Sequence, residues 1–187
     1  VQRIVNAYEK HDQRKQESWQ HFCMKKSLKL AVQYATVDTE IPTRPQFRRW
    51  VKGALMQDAE IVLRLVDETE GRALNQQFRH KNYATNVLTF VYNDTPPLVG
   101  DIVLCTPVVG QEAQQQHKDL LAHYAHLTVH GILHLQGYDH IEDAEAAAME
   151  QMETQILARL GYDDPYRTWP CHFISFISAD LISKWNF

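Results

Sequence analysis

The segment from about Lys118 to Gln136 limits what this chain can fold into more than any other. Leu120, Leu121, Tyr124, Leu127, Ile132 and Leu135 recur in it at roughly helical spacing, a pattern that predicts a largely buried helix. His130 and His134 lie four apart on that helix. Both imidazoles therefore leave the same face, with Cβ atoms roughly 6 Å apart. Two ring nitrogens placed this way can share one metal ion at about 2.0–2.1 Å each. Gly137 then stops the helix, because glycine readily takes the left-handed conformation at a helix end. The chain can turn back there and deliver His140 to a third coordination position. Three protein ligands and one position left to water is the arrangement of a catalytic zinc site, not a closed structural one.

A lone histidine on a helix is usually a core or surface residue, and this chain has ten. His123 and His126 precede the motif on nearly the same face, so a pair can also be drawn from His126 to His130. The helical pair, the glycine stop and the third histidine favour His130, His134 and His140. His126 is held in reserve as a ligand, and His123 reads as packing or as a support behind the metal.

The 187 residues suit one domain with a proper core. Cys23, Cys105 and Cys171 are odd in number, far apart and without a Cys-x-x-Cys. They argue against a disulfide framework and a thiolate zinc site, and for a reducing compartment. No apolar run approaches the ~20 residues that cross a bilayer, and the first twenty residues carry no hydrophobic signal segment. A cytoplasmic protein with no membrane partner is the expectation. The net charge of −4 hides an asymmetry, since fifteen of the nineteen Lys and Arg residues precede residue 82. A basic half can guide a phosphate backbone toward a site; an ordinary solvated surface explains the same charges.

Read in order, residues 1–23 are polar with weak periodicity and are expected to be a disordered arm or an added segment outside the domain. Leu28 to Tyr34 alternates as a half-buried strand. Thr43-Arg-Pro45 opens a helix carrying Phe47, Trp50, Val51 and Leu55. Ala59 to Val66 reads as a central strand, and Asp67 caps a helix from Glu68 to Phe78 with Leu74 and Phe78 facing inward. Gly71 and Asn75 weaken that helix. A polar loop from Arg79 to Asn86 leads to a strand, Val87 to Tyr92. Asn93 to Pro97 is a turn, and Gly100 to Cys105 is a further strand. A short helix from about Pro107 to Gln115 precedes the histidine helix. Asp143 to Leu160 forms the last one, with Met149, Met152, Ile156 and Leu160 turned inward as core. Residues 24–167 thus make one α+β domain, a single sheet packed with about five helices, with some strands parallel because helices connect the first three. The tail, 168–187, has no assigned role.

The block Leu74-Asn75-Gln-Gln-Phe78-Arg79-His-Lys-Asn-Tyr-Ala-Thr85-Asn86-Val87-Leu88-Thr-Phe90, with Gly100-Asp101-Ile102 and His130-Gly-Ile-Leu-His134-Leu-Gln-Gly137-Tyr138-Asp139-His140, resembles the bacterial YbeY family. The resemblance runs from about Lys29 to Tyr166. It implies a zinc-dependent, single-strand-specific endoribonuclease acting in ribosomal RNA maturation, notably at the 16S rRNA 3′ end, and in ribosome quality control. It also implies a mixed four-stranded sheet flanked by helices. The implied metal ligands fall on His130, His134 and His140, holding one Zn²⁺ per chain. The family's functional arginine falls on Arg79. Single-stranded RNA, a ribosomal RNA precursor and the small ribosomal subunit are the implied partners; DNA is not expected.

The residues bear on that chemistry independently. The His130, His134, Gly137, His140 spacing is also that of the metzincin proteases, in which a Glu after the first His is the general base. Here that position is Gly131, and losing a base removes a contribution of roughly 10²–10⁴-fold, so a metallopeptidase is the weaker reading. Zn²⁺ and Arg79 together suit a phosphodiester, with Arg79 gripping the phosphate and the charge it gathers. Lys81 stands nearby as a substrate-binding cation, and His80 is the less secure neighbour. Arg79 also reads as a surface arginine on a polar loop. Asp139 either orients a metal-bound imidazole or shapes the Gly-Tyr-Asp turn, while Asn86 and Asp101 fix loop and strand geometry. Imidazole sites also accept nickel or copper. A non-catalytic ribosome-binding factor with a structural metal is the third alternative.

Overall fold

Alternating apolar residues build the sheet. In the computed structural model the chain is described over residues 26–138 and 143–167. The strands are β1 (Leu28–Ala35), β2 (Ala59–Val66), β3 (Val87–Asn93) and β4 (Leu98–Cys105). Between and after them lie the helices α1 (Arg44–Ala54), α2 (Glu68–Arg79), α3 (Thr106–Gln115), α4 (Leu120–Leu135) and α5 (Asp143–Leu160). The sheet order is β1-β2-β4-β3. β1 and β2 are parallel, β2 and β4 are parallel, and β3 runs antiparallel to β4 at the edge. The expected mixed α+β domain is what forms. The third strand departs from a plain series of parallel crossovers. α2 carries the chain past the neighbouring position to the sheet edge, and the turn after Asn93 brings β4 back into the gap.

The period of two assigns each strand two faces. Ile61, Leu63 and Leu65 of β2, Leu98, Ile102 and Leu104 of β4, and Val87 of β3 pack with α1, α4 and α5 in the main core. Val66, Leu88, Val103 and Cys105 point the other way and pack with Leu74 of α2, Phe90 and Val108. The sheet therefore separates α2 from α4. Phe47 meets Trp50 and Tyr124 edge-on, at centroid distances of 5.3 and 6.4 Å, which ties α1 to α4.

Helix ends follow the expected chemistry. Gln46 Oε1 accepts from the Thr43 backbone N–H at 2.8 Å at the start of α1. Asp67 Oδ1 accepts from Glu70 N–H at 2.8 Å and opens α2. Two expected inward residues differ: Phe78 is 54% exposed and Leu121 38%. Phe78 lies near the C-terminal end of α2, one residue before Arg79, and packs edge-on against Phe90 at a centroid distance of 4.9 Å. α2 also runs one residue longer than expected and takes in Arg79. Among the described residues no helix is long and apolar enough to cross a membrane. The expectations for residues 1–23 and 168–187 lie outside the described residues.

Candidate metal and RNA site

α4 is buried along nearly its whole length because it lies across the sheet. Its polar side chains must then find partners inside the protein. Asp119 caps the start by accepting from Ala122 N–H at 2.9 Å. At the far end Gly137 takes φ +83°. Tyr138 N–H donates to Leu133 O at 3.1 Å and Gly137 N–H to His134 O at 3.0 Å, the paired bonds of a Schellman stop. The expected glycine brake thus sits three residues beyond His134.

His130 and His134 come together as the helical spacing requires. Their ring centroids are 4.5 Å apart and their Nε2 atoms 3.0 Å apart. His130 is 5% exposed, and His134 is partly open to solvent. Two bonds of about 2.0–2.1 Å meeting at a tetrahedral angle hold their nitrogens ~3.4 Å apart. The pair needs to open by only a few tenths of an ångström to share one divalent ion, so the residues present fit a metal. His140 and Asp139 lie outside the described residues, and among the described residues no cluster of three or more His, Cys, Asp or Glu is arranged to hold a metal.

Behind the pair stands a carboxylate that the spacing of the histidines did not reveal. Glu153 on α5 is fully buried. Its Oε1 lies 2.8 Å from His130 Nδ1, and its Oε2 lies 2.8 Å from His126 Nε2. The Tyr166 hydroxyl also donates to Oε2. Burial by itself pushes the Glu153 carboxyl upward, but the hydrogen bonds from His126 and His130 outweigh it and hold the group well below the usual carboxylate range. Burial first, and then the Glu153 charge, push the Tyr166 phenol up, so it stays a donor. His126, the reserve ligand, thus turns its Nε2 to Glu153, 6.3 Å between ring centres from His130. Among the described residues its buried Nδ1 has no hydrogen-bond partner. The sequence did carry a signal for Glu153: an acidic residue within the stripe Met149, Ile156, Leu160, which reads as core.

His123 is buried, and its Nε2 lies 3.0 Å from Glu112 Oε2. Asn86 Nδ2 donates to the same carboxylate oxygen at 3.0 Å, while Asn86 Oδ1 accepts from Val87 N–H at 2.6 Å. This cluster pins the start of β3. A cleft of about 380 Å³ opens near the start of α4, between Lys118, His123, His126, Tyr162, Asp164 and Arg167; neither His130 nor His134 lines it.

Arg79 ends α2, and His80 follows it as a left-handed cap at φ 59°. Burial lowers the Arg79 guanidinium from its ordinary value, with Tyr83 opposing; it remains a cation, partly stripped of water. Lys81 is exposed. The loop they begin is tied down by Asn75, which is 1% exposed and donates to Tyr83 O at 2.7 Å. Asn75 therefore anchors this helix end. Arg79 and the histidine pair belong to helices on opposite faces of the sheet, and neighbours of each in the chain touch the edge strand. Phe78 packs on Phe90, and a Cβ on Gly131 would lie 3.3 Å from Thr89 Cγ2.

The family model described as Endoribonuclease YbeY matches residues 8–161 and so reaches into the opening stretch. A protein of Nitrosomonas europaea named endoribonuclease YbeY is 65% identical over 139 residues, covering 74% of this chain and 85% of that one. A protein of the same name from Nitrosospira multiformis is 62% identical over 154 residues, with 74% and 82% covered. One from Thiobacillus denitrificans is 52% identical, with 78% and 100% covered. A Thermotoga maritima protein solved in solution aligns with a TM-score of 0.49 at 25% identity, covering 74% of this chain and 99% of that one.

Proposed function

The chain belongs to the Endoribonuclease YbeY family, and from that premise we propose that it is a zinc-dependent, single-strand-specific endoribonuclease. Its substrate is ribosomal RNA in the cytoplasm, at the 3′ end of the 16S precursor, on or near the small ribosomal subunit, and the same activity serves ribosome quality control. His130, His134 and His140 hold one zinc ion. When bound, zinc supplies Lewis-acid polarisation of a phosphoryl oxygen and a water acidified toward neutrality. Arg79 binds the scissile phosphate and the charge that gathers on it, and Lys81 steers the RNA backbone to it.

The observation that carries this reading is the 3.0 Å approach of two imidazole nitrogens on a buried helix. The partly dehydrated guanidinium at the end of α2 supports the phosphate role, because a cation short of water gains more from an oxyanion than a fully hydrated one does. Peptide hydrolysis draws no support from Gly131. A Cβ there would lie 3.1 Å from Ile102 Cδ1, so the position the protease glutamate takes is pressed against the sheet.

The test is cleavage of a 16S precursor RNA by purified protein with and without a chelator, beside His134→Ala and Arg79→Ala. Loss of cleavage on chelation, restored by zinc and absent in His134→Ala, supports the reading. Cleavage that survives both chelation and His134→Ala overturns it.

A further inference from the structure

Glu153 is a fully buried carboxylate on a helix whose other inward residues are apolar. Burying an ionised carboxylate costs several kcal/mol unless its lone pairs are satisfied, so its three donors call for a reason. Among the described residues, His126 and Tyr166 both serve Oε2, and His130 serves Oε1. This is an asymmetric clamp: two groups fix the carboxylate, and its remaining oxygen is aimed at a single nitrogen.

We propose that Glu153 is the positioning residue of the metal site, which sets the tautomer and the ring angle of His130; this rests on the reading of His130 as a metal ligand. With His126 Nε2 and the Tyr166 hydroxyl gathered on Oε2, the carboxyl group is placed to accept on both oxygens. His130 must therefore carry its hydrogen on Nδ1, and its Nε2 is left as a lone pair. That lone pair is the one facing His134 Nε2. With the other tautomer, Nε2 carries a hydrogen and cannot ligate, and Nδ1 sets a second lone pair against the carboxylate. Support of this kind behind a ligating histidine raises its basicity and removes the freedom that binding otherwise has to freeze out. His126 and Tyr166 act one step further back by holding the carboxylate against rotation. That accounts for a His126 that faces away from the pair although it stands four residues before His130.

The test uses the full chain, with zinc as the probe. Zinc affinity is measured by competition with a chromogenic chelator for wild type, Glu153→Gln and Tyr166→Phe, with folding of each checked by circular dichroism. Side-chain ¹⁵N spectra of the zinc-free proteins read the tautomer of His130. The expected results are a hydrogen on Nδ1 of His130 in wild type and a zinc affinity lower by about 10- to 100-fold in folded Glu153→Gln. Tyr166→Phe is expected to show a smaller loss in the same direction. Folded Glu153→Gln that binds zinc as wild type does overturns the proposal. So does a wild-type His130 with its hydrogen on Nε2, a result that needs no variant to fold. Wild type that takes up no zinc, yet shows the Nδ1 tautomer, overturns the metal reading itself and Glu153's role toward the metal with it.

Discussion

Gly131 and Ile102 face each other where α4 crosses the sheet, so closely that a Cβ on Gly131 would lie 3.1 and 3.2 Å from two Ile102 carbons. Thr89 Cγ2 would be 3.3 Å away, so the crowding comes from both central and edge strands. Alanine ordinarily gains about 1 kcal/mol over glycine inside a helix. Here that gain is opposed by overpacking, which costs about 1–3 kcal/mol in a well-packed core. Gly131→Ala is expected to lower stability in urea melts, and Gly131→Glu to lower it much further, with no peptidase activity. A Gly131→Ala protein more stable than wild type would show that α4 has room to lift off the sheet.

Asn75 holds the loop that follows Arg79. Its side chain is the donor to Tyr83 O, and its own carbonyl accepts from Lys81 N–H at 3.4 Å. Asn75→Ala leaves the Tyr83 carbonyl without that donor, a loss of about 1–3 kcal/mol. If Arg79 works on the phosphate, RNA cleavage by the folded variant falls by roughly ten- to a hundredfold, the usual effect of displacing a catalytic group by an ångström. Cleavage at the wild-type rate by Asn75→Ala would remove this loop from the working parts of the site.

How far the sequence foretold these features depended on how local the cause was. β2 runs from Ala59 to Val66 as its branched residues predict, and Gly137 stops α4 through bonds made within five residues. The pairing of His130 with His134 needs only helical spacing. Glu153 is different, because its partners are 23 and 27 residues away. On its own helix it counts only as a polar interruption in an apolar stripe. The placing of β3 outside β4 likewise rests on sheet order, which no local pattern encodes. Polar composition predicts a loop from Arg79, whereas the bonds of Asn75 to Tyr83 and Lys81 extend order into it.

His117 provides a stability test away from the proposed chemistry. It follows α3 at φ 52°, with Lys118 N–H donating to Ala113 O at 2.9 Å and His117 N–H to Gln114 O at 3.2 Å. Glycine is the residue usually found at that position of a Schellman stop. A side chain there carries a left-handed penalty of roughly 1–2 kcal/mol, partly offset because glycine has more freedom to lose from the unfolded chain. His117→Gly is expected to raise stability by about 0.5–1 kcal/mol, read as a higher urea midpoint with an unchanged slope. An unchanged or lower midpoint would mean that the imidazole makes up for its backbone strain.

Cys105 gives a pH dependence whose sign follows from burial. It ends β4 and is 1% exposed, with its Sγ 3.5 Å from Asp67 O. Burial pushes its thiol up to about 11, with the backbone at Val108 opposing. An unfolded cysteine titrates near about 8.5. Between those values the folded chain keeps a proton that the unfolded chain releases, so this group's contribution to stability is whole below about pH 8.5 and falls as pH rises toward 11. Wild type should therefore lose more stability between pH 8 and pH 10.5 than Cys105→Ala does in parallel urea melts. The thiolate fraction at pH 8 is roughly one in a thousand, so iodoacetamide should spare Cys105 in the native protein and label it once urea unfolds the chain, as peptide mapping reads directly. Rapid labelling of native Cys105 at pH 8, or equal alkaline losses in the two proteins, would mean that this end of the sheet opens to solvent.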